Sequence, residues 1–327
     1  MKFGIGLPTC REGFTLPAPF ATPKQIIELT KFAEKLGYDS VWADDHIVIT
    51  PQMNMPDKVP PKWYDPLISL ASMTSATKKI KLAVGVLCLP FRDVVILARQ
   101  AATLDAYSNG RFVLGFGLGR RDEFEQFAPR MKKVHRGKLT EERIEAIYKL
   151  FTEDHVTYAG QYVEIQDISL YPKPVTQPPA IYLAGETEET YSRVARWGTG
   201  QLFGTFSPYH AIPKRIQALS EALESQGRKL SEIDKCVAAM QCLAKTHEQG
   251  VANFRKSRRG RKGTDDILDY VLANNAIGTG SEVVEKIKKF EREGIDHFTI
   301  HHYGVESFGE LKEQLQMFAE EVMPHFK

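Results

Sequence analysis

Short apolar runs alternate with helical patterns along almost the whole chain, and this alternation limits the possible folds more than any other feature. The eight runs predicted as strands are residues 3–7, 40–43, 80–89, 111–117, 181–184, 201–203, 236–244 and 298–302. Several of them are apolar without interruption, which is typical of parallel strands covered on both faces. The pattern therefore predicts an α/β fold built around a parallel sheet.

Two architectures share this alternation, the doubly wound open sheet and the closed barrel. An open sheet usually carries a glycine-rich dinucleotide turn after its first strand, and Leu7-Pro8-Thr9 has none. The length of 327 residues also suits one barrel. We therefore predict a single (β/α)8 TIM-barrel domain over residues 1–327.

One segment interrupts the alternation between the predicted helix at 139–151 and the fifth strand. Residues 156–163 surround a turn at Ala159-Gly160, which predicts a β-hairpin, and a proline-rich connection follows at 172–179. Because the alternation resumes directly afterwards, we interpret this segment as an inserted hairpin and not as a domain boundary.

Charge and composition exclude several classes of protein. Lys plus Arg number 43 and Asp plus Glu 41, so the net charge of +2 favours neither nucleic acid nor an acidic membrane surface as a partner. No window approaches the roughly 20 apolar residues of a membrane span. The four cysteines form no Cys-x-x-Cys pair, which fits a reducing compartment. We expect a cytoplasmic enzyme that acts on a small molecule.

The second predicted strand ends in polar residues that can carry chemistry. In (β/α)8 barrels the active site lies on loops at the C-terminal strand ends, and this strand ends in Asp44-Asp45-His46. A histidine beside carboxylates can donate or accept a proton near neutral pH. The same residues also describe a structural histidine held by an aspartate, and the pattern alone leaves both interpretations open.

Glycines interrupt the third and fourth predicted strands. Gly85 lies inside the third strand, and Gly115, Gly117 and Gly119 alternate at the end of the fourth, directly before Arg120. The missing side chains allow a flat ring or a phosphate to approach the backbone closely. Relief of crowding inside a narrow barrel explains the glycines equally well.

The fifth predicted strand runs directly into a helix through Ala184-Gly185-Glu186-Thr187. The free amides of a helix N-terminus and the Thr187 hydroxyl can bind a phosphate. An ordinary threonine N-cap is the alternative, and the carboxylate of Glu186 would repel a dianion.

The last predicted strand carries His301 and His302 side by side. Neighbouring strand residues point to opposite faces, so we expect at most one of them to line the site, and they cannot share a metal there. Metal-ligand spacing is absent elsewhere in the sequence as well. The basic run at 255–262 follows the seventh strand and is either a solvated segment or a lid over the barrel mouth.

Taken in order, several segments are similar to the luciferase-like monooxygenase family, particularly to its F420-dependent branch. They are Leu-Gly-Tyr-Asp-Ser-Val-Trp (36–42), Asp-Asp-His (44–46), Ile-Lys-Leu-Ala-Val-Gly-Val-Leu-Cys-Leu-Pro (80–90) and Gly-Arg-Phe-Val-Leu-Gly-Phe-Gly-Leu-Gly (110–119). The resemblance covers nearly the whole chain. It implies a barrel that holds the deazaflavin coenzyme F420 at its mouth and transfers a hydride to or from a small organic substrate.

The resemblance also implies roles for single residues. A non-proline cis peptide at Gly85-Val86 would support the cofactor ring, and the loop from Ala184 to Thr187 would bind its phosphate. His46 would transfer the hydroxyl proton of the substrate, while Asp45 would orient His46 or hydrogen-bond the ring. The residues implied for the cofactor are Asp45, Gly85, Val86, Gly117, Gly119, Arg120, Ala184, Gly185, Glu186 and Thr187. Leu7 and His301 are assigned to the substrate pocket.

Arg120 departs from part of the family, because some members that oxidise sugar phosphates have an acid at this position. A cation there suits an anionic substrate or the charged tail of F420.

Three alternatives remain open beside an F420-dependent enzyme. An FMN-dependent monooxygenase would use reduced flavin from a separate reductase, although Asp45-His46 is closer to the F420 branch. A catalytically silent flavin-binding protein would keep the barrel without the chemistry. A barrel isomerase or aldolase would need a lysine or a carboxylate pair at the strand ends, and we find no convincing set.

By resemblance, the protein is expected to be a homodimer that associates through its outer helices.

Overall fold

The computed structural model describes residues 1–53, 59–177, 179–257 and 268–326. Its strands are β1 (Lys2–Gly6), β2 (Ser40–Ala43), β3 (Lys81–Cys88), β4 (Phe112–Gly117), β5 (Val156–Ala159), β6 (Glu164–Ile168), β7 (Ile181–Ala184), β8 (Gly200–Phe203), β9 (Asp234–Leu243), β10 (Ala276–Gly278) and β11 (His297–Tyr303). All strands except β5, β6 and β10 form one parallel ring in the order β9-β11-β1-β2-β3-β4-β7-β8, and pairing of β8 with β9 closes it. The closed ring confirms the predicted (β/α)8 barrel.

Helices follow the strands along the chain. They are α1 (Pro23–Leu36), α2 (Pro66–Met73), α3 (Val94–Ser108), α4 (Arg121–Gln126), α5 (Arg136–Thr152), α6 (Glu188–Trp197), α7 (Ile212–Glu224), α8 (His247–Ser257), α9 (Leu268–Asn274), α10 (Gly280–Arg292) and α11 (Phe308–Glu321). Within the described ranges, none of them combines the length and the apolar character needed to cross a bilayer.

Local sequence signals determine where α1 begins and ends. The Thr22 side chain accepts from the Gln25 amide while the Gln25 side chain accepts from the Thr22 amide, which is a capping box at the start of α1. Pro23 occupies the first turn, where its missing N–H costs nothing. Gly37 ends the helix with a φ of 88°, a left-handed conformation that glycine adopts most easily.

The predicted insertion is present as an antiparallel hairpin of β5 and β6. Its second arm begins later than predicted, because Glu142 of α5 accepts hydrogen bonds from the amides of Gln161, Tyr162 and Val163. These residues are thereby held in the connection between the two strands and do not pair in the hairpin.

The short β10, which was not predicted, pairs with the C-terminal part of β9.

A buried polar network closes the N-terminal end of the barrel. Asp234 accepts a hydrogen bond from the Tyr182 hydroxyl and lies 3.1 Å from both Nζ of Lys2 and Nδ1 of His297. The other ring nitrogen of His297 is 3.0 Å from the Ser40 hydroxyl. These residues lie at the first or second positions of β9, β7, β1, β11 and β2, so the network joins five strands at the end opposite the predicted active site.

Candidate active site

A cavity of about 430 Å³ lies at the C-terminal mouth of the barrel. Its lining comes from seven of the eight barrel strands and the loops that follow them, as expected for the active site of this fold. The lining residues are Arg11, Asp44, Gly85, Ala184, Gly185, Glu186, Leu202, Phe203, Gly204, Thr205, Phe206, Ser207, Ala238, His301 and His302. Five of the predicted site residues are thus brought together, namely Gly85, Ala184, Gly185, Glu186 and His301.

One wall of the cavity is a bulge in β3. The pairing of β3 with β4 shifts register between Val84 and Leu87, and the peptide bond between Gly85 and Val86 is cis, as predicted. A Cβ on Gly85 would lie 2.5 Å from Cε3 of Trp42 and 3.0 Å from Cε1 of His301. Only glycine therefore fits between these two rings, and the bulge presents bare backbone to the mouth.

Two glycines of β4 leave the space that this bulge occupies. A Cβ on Gly115 would lie 2.1 Å from the carbonyl oxygen of Val84, and one on Gly117 would lie 2.5 Å from Cγ2 of Val86. Gly119 has a φ of 67° and turns the chain out of the barrel. Packing and a turn thus account for Gly117 and Gly119 in place of the predicted cofactor contacts, because Val86 fills the space beside Gly117 and the rings of Phe91 and Phe124 lie beside Gly119.

His46 lies at the rim of the barrel, where Phe14 and Trp63 flank its ring with centroid distances of 5.9 and 5.3 Å. Its Nδ1 is 3.6 Å from Oε1 of Glu123. This distance suits an ion pair but is too long for a hydrogen bond. A carboxylate from α4, which the sequence pattern did not reveal as a partner, therefore stands behind the predicted acid–base histidine.

Glu123 is completely buried although it carries a carboxylate. Its oxygens accept from the amide of Ile47 at 2.9 Å and from the amide of Arg120 at 3.3 Å. Burial alone would raise the pKa of Glu123, but the adjacent His46 and the two amides outweigh burial and place this pKa below its usual value. Glu123 is thus an anion held in a fixed position beside His46.

Asp45 does not orient His46, which corrects the sequence expectation. One oxygen of its buried carboxylate accepts from the amide of Cys88 at 2.9 Å, and the other from Arg92 at 2.9 Å. Burial raises the pKa of Asp45 although Arg92 opposes this effect. The side chain is directed to α3 and the end of β3 because Arg92 offers a charged partner there that the sequence pattern did not reveal.

Arg11, Asp44 and His301 form a buried charged cluster at the floor of the cavity. Nε of Arg11 is 2.5 Å from Oδ2 of Asp44, and Nη2 of Arg11 is 3.5 Å from Nδ1 of His301. Burial would raise the pKa of Asp44, but Arg11 and His301 together lower it. Burial also lowers the pKa of His301, so its imidazole is neutral near pH 7. Arg11 was missed, and Asp44 was noted beside His46 without this role, because the two residues follow different strands and meet only in the closed barrel.

His302 also lines the cavity, so the expectation that at most one histidine would do so is wrong. Nδ1 of His302 lies 2.9 Å from Nη1 of Arg11. The reason is that the pairing of β11 with β9 shifts register between Ile300 and His302. This irregularity breaks the strict alternation of faces on which the expectation rested.

The loop predicted to bind phosphate lines the cavity through Ala184, Gly185 and Glu186. Glu186 accepts from the amide of Gly204 at 3.0 Å and pairs with Arg215 at 2.6 Å. The arginine compensates the charge that would otherwise repel an anion. Thr187 caps α6 by accepting from the amide of Thr190 and is not among the residues that line the cavity.

Two other predicted residues lie elsewhere. The Arg120 guanidinium makes two hydrogen bonds to Asp122, at 2.9 and 3.0 Å, and does not line the cavity. Leu7 is fully buried in the hydrophobic core, which corrects its assignment to the substrate pocket: its side chain packs among apolar neighbours and is closed to a ligand. Of the basic run at 255–262, residues 258–262 lie outside the described residues.

The mouth fits a flat heterocycle that carries polar groups. The backbone of the β3 bulge offers a bare surface, and the buried Nε2 of His301, a residue that lines the cavity, has no hydrogen-bond partner within the described ranges. Buried polar atoms are normally satisfied, so unpaired ones beside a cavity mark places where a ligand completes the site. Within the same ranges, no group of three or more His, Cys, Asp or Glu residues is placed to hold a metal ion.

A closed parallel barrel with bare backbone at Gly85 and two histidines, His301 and His302, at its C-terminal mouth is typical of a barrel enzyme. Comparison with known proteins makes the class specific: the profile of the luciferase-like monooxygenase family matches residues 1–297. The chain belongs to this family and is one of its flavin- or deazaflavin-dependent oxidoreductases.

Relatives with both kinds of cofactor are similar to the chain. It is 24% identical to an F420-dependent glucose-6-phosphate dehydrogenase of Amycolatopsis mediterranei, covering 97% of this chain and 98% of the relative. It is 25% identical to the oxygenase component of a flavin-dependent trigonelline monooxygenase of Acinetobacter baylyi, covering 92% and 89%. The crystal structure of monooxygenase RslO1 from Streptomyces bottropensis superimposes with a TM-score of 0.80 at 23% identity over both complete chains.

Proposed function

We propose that the protein is an F420-dependent oxidoreductase that transfers a hydride between the deazaflavin and a small organic substrate. The observation that carries this proposal is the pair of His46, on the loop that follows β2, and the buried Glu123 of α4. An acid–base group is what the oxidation of an alcohol, or the reverse reaction, requires beside the redox cofactor. Relatives on the F420 side and the Asp45-His46 sequence support the choice of cofactor.

In this proposal each residue has a separate task. F420, when bound, supplies the redox chemistry. Gly85 and Val86 would support its ring, and the loop from Ala184 to Thr187 would hold its phosphate. Arg120 is already paired with Asp122, so we assign it no more than a long-range attraction for the charged tail.

The proton would pass through Nε2 of His46. Its Nδ1 faces Glu123, whose position is fixed by two backbone amides, so the opposite ring nitrogen is left for the substrate hydroxyl. Phe14 and Trp63 restrict the ring from its sides. The carboxylate stabilises the protonated imidazole that forms when His46 accepts the proton, and this is the role that the sequence had given to Asp45.

The second candidate is an FMN-dependent monooxygenase that receives reduced flavin from a separate reductase. Its support is the relative named as the oxygenase component of a flavin-dependent monooxygenase, which is as similar in sequence as the F420-dependent one. Both candidates would bind their cofactor at the same C-terminal mouth of the barrel.

A binding titration of the purified protein with F420 and with FMN, each oxidised and reduced, tests the proposal. We expect F420 to bind at least about tenfold more tightly than FMN, a difference of about 1.4 kcal/mol. His46→Gln is expected to keep the F420 affinity and to lower turnover with a responsive alcohol by about 100-fold or more, because it removes the acid–base group. The exposed His155→Gln serves as the matched control and should change neither quantity.

Each other outcome has a definite meaning. Tighter binding of FMN than of F420 would replace the first candidate by the second. Binding of either cofactor without turnover over a broad panel of alcohols, aldehydes and ketones would favour a silent flavin-binding protein. If neither cofactor bound, both candidates would be rejected.

We also propose that the protein is a homodimer that associates through α2 and α3. Ile68, Ile96 and Tyr107 on these outer helices are 74%, 60% and 75% exposed and border one apolar groove. Exposed apolar patches of this kind mark interaction surfaces. Light scattering is expected to give twice the chain mass, and Ile68→Lys to give one chain mass. Val175→Lys, at another exposed apolar position, should leave the dimer intact, and a monomeric native protein would refute the proposal.

A further inference from the structure

The charged cluster at the cavity floor has no task in the proposed function. Arg11, Asp44 and His301 are only 7%, 7% and 4% exposed, and desolvation of such charges is costly unless they are paired. Arg11 and Asp44 do pair with each other, at 2.5 Å. The pair also contacts the imidazole of His301, and all three residues line the mouth cavity.

Both charged residues approach the same atom of His301. Nη2 of Arg11 lies 3.5 Å from Nδ1, and Oδ1 of Asp44 lies 3.7 Å from it. The other ring nitrogen, Nε2, is buried and has no hydrogen-bond partner in the described part of the chain. An unsatisfied buried polar atom costs about 1–3 kcal/mol, so a ligand that bonds to Nε2 gains affinity by removing this cost.

The imidazole of His301 lies against the β3 bulge. Its Cε1, which is bonded to both Nδ1 and Nε2, lies 3.0 Å from the position that a Cβ would take on Gly85. The Trp42 ring packs on the same imidazole with a centroid distance of 5.7 Å. Both His301 and Gly85 line the cavity, so a ring bound against the bulge lies beside this imidazole.

We propose that His301 hydrogen-bonds through Nε2 to the heterocyclic ring of the bound cofactor, and that Arg11 and Asp44 are positioning residues that hold its imidazole. This inference rests on the proposed function only in requiring a flavin or deazaflavin ring in the cavity. Both ring systems carry carbonyl oxygens and an N–H on their dione edge. Nε2 finds a partner there in either tautomer, since it donates to the former or accepts from the latter.

The test compares cofactor affinity and spectrum in variants of His301. His301→Phe keeps a flat ring of similar size but removes both nitrogens, and it is expected to weaken the better-bound cofactor about tenfold. His301→Gln restores a hydrogen-bonding group and should recover the affinity to within about threefold. The absorption band of the bound cofactor is expected to move toward that of the free cofactor in His301→Phe and not in the exposed control His210→Phe.

Asp44→Asn provides a second measurement in case His301→Phe does not fold. It keeps the imidazole and removes the charge behind it, so we expect a shifted absorption band with an affinity loss of about threefold. Unchanged affinity and spectrum in a folded His301→Phe, or a change confined to the KM of the substrate, would overturn the inference and leave the proposed function intact. Failure of the native protein to bind either cofactor would overturn both.

Discussion

Asp234→Asn is expected to lower the free energy of unfolding by about 3 kcal/mol and the melting temperature by about 5–10 °C. Asp234 accepts from Tyr182 and pairs with both Lys2 and His297 at the N-terminal end of the barrel. An amide has the same shape but no charge and only one acceptor, so buried groups of the network lose a partner. Hydrogen bonds to a buried charge are worth more than neutral ones, which is why we expect a large effect. Thermal and urea unfolding measure it.

Asp167→Asn is the matched control, because Asp167 also pairs with a histidine, His155, at 2.8 Å. Both side chains of that pair are largely exposed, and exposed pairs contribute between about 0 and 1 kcal/mol. We expect Asp167→Asn to change stability by less than about 0.5 kcal/mol. Equal effects of the two substitutions would show that the buried network does not stabilise the barrel.

The pH dependence of the stability loss in Asp234→Asn should show whether the charge of the carboxylate causes this loss. Burial would raise the pKa of Asp234, but the contacts with His297, Tyr182 and Lys2 place this pKa far below its usual value. A carboxylate with a lowered pKa in the folded state stabilises the protein above its unfolded pKa of about 3.9 and loses this contribution as the pH falls further. The stability difference between native protein and variant should therefore be full at pH 7 and should narrow below pH 4. A constant difference would point to packing instead.

Gly115→Ala is expected to cost about 2–3 kcal/mol, although it adds a single methyl group. Its Cβ would lie 2.1 Å from the carbonyl oxygen of Val84, and a backbone atom cannot move aside as the end of a side chain can. β3 and β4 would have to separate where they form the bulge. Gly309→Ala in α11 is the control, because its Cβ would meet its nearest neighbour at an ordinary 3.8 Å, and we expect it to be neutral or slightly stabilising.

The same substitution should also weaken cofactor binding by about tenfold, since the displaced carbonyl directly precedes Gly85. Measuring both cofactor affinity and melting temperature distinguishes two explanations of the β4 glycines, namely room for a ligand and close packing against β3. If these glycines only make room for a ligand, Gly115→Ala would lose affinity at unchanged melting temperature. The packing described here requires both quantities to fall.

Local signals account for the parts of the fold that were predicted well. The bounds of β2 at Ser40–Ala43 and of β7 at Ile181–Ala184 agree with the sequence prediction, because apolar runs and the breaks between them depend only on a few neighbours along the chain. The short α4 and β10 were missed, since neither is long enough to show a periodicity. α4 nevertheless supplies Glu123, so an element without a sequence signal provides the partner of His46.

The sequence by itself determined the barrel, the position of the mouth and the candidate residues His46, Gly85 and His301, because strand ends and glycines are visible in a linear pattern. Only the tertiary structure decided the partners of these residues. Asp45 lies next to His46 in the chain but binds Arg92, whereas Glu123, 77 positions away, stands behind the imidazole. The physical reason is that buried charges select their partners by distance in space, and those distances exist only once the barrel is closed.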